Sequence, residues 1–130
     1  MSLRVVLIAS GIIGLIFGLY FLFAADAAIA NFQLGASDVP SRLFARAEGA
    51  AIISYAIANI LASGDRGSTA LRGLVVGNLL VHIFGILIDF TETFPKTGGW
   101  WVGLVVHVIF IIAFGYYLLN WQKVAKPAAV

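Results

Sequence analysis

Residues 98–121 read GGWWVGLVVHVIFIIAFGYYLLNW, twenty-four positions without a single Asp, Glu, Lys or Arg. As a helix rising about 1.5 Å per residue, this run is about 36 Å long, enough to cross a hydrocarbon core of about 30 Å. An amphipathic surface helix has a polar face, whereas this run is apolar almost all round. Trp100, Trp101 and Trp121 stand at its two ends, where indoles prefer the headgroup level. The fold is therefore read outward from a membrane span.

Three more segments have the length of a span: about 3–25, 40–63 and 70–94. Asp38-Val39-Pro40-Ser41 reads as a turn leading into the second, with Pro40 near its first helical position. Ser63-Gly64-Asp65-Arg66-Gly67-Ser68 is a polar stop before the third, and Pro95-Lys96-Thr97-Gly98-Gly99 breaks the third from the fourth. These signals predict an all-α integral membrane four-helix bundle, one domain over 1–130 with short loops. Composition agrees: 62% of the chain is hydrophobic and 11% charged, against about 25% charged in soluble domains. The mean hydropathy is +1.03. With no cysteine, the chain has no disulfides, thiol nucleophile or thiolate metal site. Its eight Lys and Arg are too scattered for a nucleic-acid surface.

Arg4 and the Ala25-Asp26-Ala27 stretch resemble parts of a secretory signal, but the apolar run between them exceeds the usual 7–15 residues. We read it as a retained helix. With the N-terminus inside, Arg4, Arg66, Arg72, Lys123 and Lys126 lie on the inner side, and Arg42, Arg46 and Lys96 on the outer side. The positive-inside bias then predicts both termini in the cytoplasm. The stretch from Ala25 to Gly35 is long for a connection and reads as a helical extension along the outer interface, or as a tilt of span one.

In lipid, helices meet through small residues and polar contacts. Gly14 and Gly18 share a face of span one; Ala47, Gly49, Ala50 and Ala51 in span two, Gly73 and Gly77 in span three and Gly103 in span four are the corresponding small positions. Span three carries Asn78, His82, Gly85, Asp89 and Glu92 at spacings of 4, 3, 4 and 3, one helical stripe. Glu48, Tyr55 and Asn59 make a second stripe on span two, with Arg42 and Arg46 as an outer basic pair beside it. Trp100, Gly103, His107, Phe110, Phe114 and Tyr117 make a third on span four. Polar stripes on membrane helices should face the interior, a cavity or a partner.

His82 and His107 fall at similar depth, and three readings stand open. They are neutral imidazoles bonded to Asn78, Tyr55 or a carbonyl. They are axial ligands of a b-type haem used in electron transfer, with Gly85 and Gly103 leaving room and Phe110 and Phe114 packing on the ring. Or, with Asp89 and Glu48, they form a metal or proton site, although His82 and Asp89 are about 10 Å apart along the axis, far for one ion. Arg42 and Arg46 either snorkel to outer headgroups, pair with Asp89 or Glu92, or hold an anionic headgroup.

Span one contains Gly11-Ile12-Ile13-Gly14-Leu15-Ile16-Phe17-Gly18-Leu19-Tyr20, and span two opens on Arg46-Ala47-Glu48-Gly49-Ala50. With four short spans filling the chain, this resembles small bacterial four-helix inner-membrane proteins of the DoxX-like group and related families of unknown function. The resemblance implies that architecture and a bacterial inner membrane, and no catalytic residue. No nucleophile–base pair, phosphate loop or His-Glu-x-x-His motif is found. The expected role is non-catalytic: an accessory or assembly subunit of a membrane complex, or a homo-oligomer. A small-molecule or proton transporter using Glu48 and Asp89 is a further alternative, weakened by the lack of an internal repeat or of a proline inside a span.

Overall fold

The computed structural model describes residues 2–91 and 98–124, apart from the side chains of Asp89, Thr91 and Val124. These residues fold as six helices: α1 (Leu3–Phe23), α2 (Ala25–Phe32), α3 (Val39–Ala62), α4 (Thr69–Thr91), α5 (Gly98–Leu119) and α6 (Trp121–Val124). Among the described residues there is no strand. Three helices are long and apolar enough to cross a membrane: α1, α4 over Thr69–Ile88, and α5. This is a small membrane protein. The fourth expected span, α3, is long enough, but Arg42, Arg46, Glu48 and Asn59 interrupt its apolar run.

Local chemistry explains the boundaries. Asp38 caps α3, its carboxylate accepting the Ser41 N–H at 2.8 Å, and Pro40 sits in the first turn, where its missing donor costs nothing. In the α3–α4 loop Asp65 accepts from the N–H groups of Gly67 and Ser68, and the Ser68 hydroxyl accepts the Leu71 N–H at 3.1 Å. The Ala25–Gly35 stretch is helical over Ala25–Phe32, as one of the two expectations had it, but it does not continue α1. The chain breaks at Ala24, with φ −122° and ψ 44°, and restarts as the separate helix α2. That helix ends on Gln33, whose φ of 52° is the left-handed conformation usual at a helix C-terminus.

α1 and α3 run antiparallel in close contact, and α4 packs on α5. Glycines set the first contact. A Cβ on Gly18 would stand 2.9 Å from the Gly49 carbonyl oxygen, and one on Gly49 would stand 2.6 Å from the Leu22 nitrogen. A Cβ on Gly14 would stand 3.0 Å from that of Ala56. The expected Gly14 and Gly18 face is thus the α3-facing side of α1. Gly73 differs from its expected part, because open space surrounds it.

The two pairs meet in a core at the end that carries the α3–α4 loop. Leu3, Val6 and Leu7 of α1 bury against Leu71 and Val75 of α4 and Phe110, Phe114 and Tyr117 of α5. At the opposite end α2 closes over α3, with Ala25, Ile29 and Ala45 buried together. A Cβ on Gly99 would stand 2.6 Å from the Asn31 carbonyl oxygen, so the start of α5 reaches the end of α2.

Candidate functional site

The interior holds two polar layers on consecutive turns of α4. The first joins three helices. Asn59 of α3 and Asn78 of α4 exchange a reciprocal pair of amide bonds, at 2.9 and 2.8 Å, and both side chains are wholly buried. The Asn59 amide also donates to the Ser10 hydroxyl of α1 at 3.1 Å, and that of Asn78 to the Leu74 carbonyl at 2.8 Å. Each amide thus spends its two donors on named acceptors, as a dry environment requires.

One turn further along α4 is the second layer. Nδ1 of His82 lies 2.9 Å from Nδ1 of His107 on α5. His82 is 9% exposed, and its ring stacks on Phe110 at 5.0 Å and Phe114 at 6.2 Å between centroids. Its Nε2 is buried without a hydrogen-bond partner. Tyr55 stands one turn from Asn59 on α3, as His82 stands one turn from Asn78, and its hydroxyl is likewise buried and unpartnered.

The structure therefore pairs the two midspan histidines with each other, while Asn78 is taken up by Asn59. The haem reading does not fit. Axial imidazole nitrogens on opposite sides of an iron stand about 4 Å apart, at about 2 Å per bond, with a macrocycle between them. Here the nitrogens touch directly. The room expected beside Gly85 is filled by the His107 ring itself: a Cβ on Gly85 would lie 2.6 Å from its Nε2. A Cβ on Gly103 would stand 3.9 Å from the Phe32 ring of α2. Among the described residues no three His, Asp or Glu side chains converge to hold a metal ion.

Of the residues expected inside, Asn59, Asn78 and His82 are buried, and Tyr55 is half-buried with its hydroxyl inward. Glu48 is exposed instead. It shares the stripe of Asn59, but α3 has little contact with α4 beyond the asparagine bonds, so that flank lies open near α2. Glu92, Lys96, Lys126 and the Asp89 side chain lie outside the described residues.

The outer basic pair divides. Arg42 approaches Asp26 of α2 at 3.6 Å and donates to the Ser37 carbonyl at 2.8 Å, while the Ser37 hydroxyl donates to the Asp26 carboxylate. Arg42 thus ties α2 to α3. The Ser37 bond, reinforced by Arg42 and then Arg46, holds the Asp26 carboxyl below its ordinary range. Arg46 is exposed. Sequence reasoning missed Ser10 and Asp26. Ser10 did carry a signal, because it precedes Gly14 and Gly18 at spacings of four on the face that meets α3.

No family model, curated protein or solved structure matches the chain.

Proposed function

We propose that the protein is a four-span membrane protein of non-catalytic role, with α3 as the fourth span, that assembles with a second copy of itself through α3. One observation carries this reading: the face of α3 turned away from α1 exposes small residues flanked by two opposite charges. Phe44, Ala47, Ala51, Ser54, Ala58 and Leu61 follow one another at spacings of 3, 4, 3, 4 and 3, and all but the half-buried Ala58 are exposed. Such a seam lets two helices approach closely in lipid.

Charge makes the partner specific. Glu48 sits about 13 Å from the start of α3 at 1.5 Å per residue, too deep for a short side chain to reach the headgroups easily. A carboxylate facing lipid at that depth needs a partner. Arg46 and Glu48 lie about 100° to either side of the seam and differ in depth by about 3 Å. In a two-fold pair of parallel α3 helices, the Arg46 flank of one copy faces the Glu48 flank of the other, and the reverse. The same pair brings the seam's alanines together.

The length of α3, about 36 Å, supports a crossing. Arg4, Arg66, Arg72 and Lys123 at the end bearing the α3–α4 loop, against Arg42 and Arg46 at the other, support both termini on the cytoplasmic side.

Charge reversal tests the pairing. R46E and E48R should each reduce dimer in native mass spectra from membranes, and the R46E/E48R double variant should restore it. Ala51→Cys should give a disulfide-linked dimer, and Ile12→Cys on the outer face of α1 should not. A monomer in every spectrum, with no Ala51→Cys dimer, removes the proposal.

A further inference from the structure

The contact between the imidazoles has chemical consequences within a single copy of the chain, independent of the α3 seam. Two neutral rings meeting Nδ1 to Nδ1 at 2.9 Å share one proton: one nitrogen donates and the other is bare. The donor ring then has a bare Nε2, and the acceptor ring carries Nε2–H. Buried N–H groups without a partner are rarer in proteins than bare acceptors. Since the His82 Nε2 is buried and unpartnered, His82 is the donor ring and its Nε2 is a free base.

We propose that His82 and His107 form a binding site for one proton, loaded at His82 Nε2. On loading, an incoming proton bonds to the Nε2 lone pair and His82 becomes an imidazolium. Its Nδ1–H remains directed at the bare Nδ1 of His107, so the positive charge spreads over both rings. On release, the Nε2–H bond breaks and the neutral pair returns. One proton enters, one leaves, and no other reactant is needed. The faces of Phe110 and Phe114, parallel to the His82 ring within 17° and 12°, favour the cation. A second proton would need to sit on Nδ1 of His107 and would break the shared bond, so the capacity is one.

A further buried hydroxyl without a hydrogen-bond partner, that of Tyr55 on α3, lies 3.9 Å from where a Cβ of Gly77 would stand. The surrounding elements carry few other titratable groups. α3 has Arg42, Arg46 and the exposed Glu48 toward its N-terminus and Tyr55 nearer its middle, α4 has Arg72 in its first turn, α5 has Tyr116 and Tyr117 toward its C-terminus, and α1 has Arg4 and Tyr20 at its ends. Asp89 follows His82 by two turns on α4.

The test is nitrogen NMR of the full chain, labelled with 15N-histidine, in lipid nanodiscs. At neutral pH a scalar coupling between the two Nδ1 atoms should be seen, with the proton on His82, and it should be lost in H107F. On acidification a single proton should appear on His82 Nε2 while the coupling persists. No coupling at neutral pH, or coupling lost as each ring takes up its own proton, overturns the shared site.

Discussion

Replacing Gly49 by alanine probes the α1–α3 contact on which the packing depends. The added methyl would stand 2.6 Å from the Leu22 nitrogen and 2.7 Å from the Gly18 carbonyl oxygen. Both atoms are backbone, so no side chain can swing away. The helices must separate by several tenths of an ångström, which breaks packing along the whole glycine face. Overpacking of this kind costs about 1–3 kcal/mol. Alanine recovers about 1 kcal/mol over glycine in a helix interior. Gly73→Ala is the control. Open space surrounds Gly73, so only the gain applies there. The two variants should therefore differ in stability by about 1–3 kcal/mol, with Gly73→Ala the more stable. Unfolding by SDS in mixed micelles, followed by tryptophan fluorescence, measures this. Equal midpoints for the two variants would refute the close approach of α1 and α3.

Replacing Asn59 by leucine removes three bonds between helices and should cost about 2 kcal/mol, at about 0.6 kcal/mol per membrane hydrogen bond with each abandoned partner adding to it. Asn59→Leu with Asn78→Leu should lose less than the sum of the single changes, which a double-mutant cycle in the same assay reads. Gln33→Gly should raise stability by about 1 kcal/mol by relieving its positive φ, again by SDS titration. The Asp26 carboxyl is held below its ordinary value of 3.8 by Ser37 first and Arg42 after it. A depressed carboxyl supports the fold above its unfolded pKa, and that support is lost as pH falls through the folded value. The α2–α3 corner should thus stay closed at pH 4 and open under stronger acid. Ser37→Ala should move the Asp26 midpoint upward in a carbon NMR titration.

The helical registers made much of this arrangement legible. Spacings of four and three placed Asn78 and His82 on one stripe and Tyr55 and Asn59 on another, and those stripes do turn inward. The Gly14 and Gly18 face announced a close contact without saying with which helix. Pairing was not legible, because one stripe fits several facing helices equally well: His82 chose His107, while Asn78 chose Asn59 and, through it, Ser10. Glu48 departs from its stripe. It shares a stripe with buried Asn59, yet the α4-facing flank of α3 is covered at one level and open two to three turns away. Arg42 met Asp26 because the chain breaks at Ala24 and turns α2 back over α3. No periodicity encodes that break.

The proposed crossing of the membrane by α3, despite its charges, is open to direct measurement. Because the chain has no cysteine, single cysteines report topology without background. Ala36 precedes α3, Gly64 follows it, and Lys123 lies beyond α5; all three are exposed. Labelling Ala36→Cys, Gly64→Cys and Lys123→Cys in intact cells and inverted vesicles with a membrane-impermeant maleimide decides the matter. If α3 crosses, Gly64→Cys and Lys123→Cys react from the cytoplasmic side and Ala36→Cys from the other. Labelling of Ala36→Cys and Gly64→Cys from the same side would contradict it.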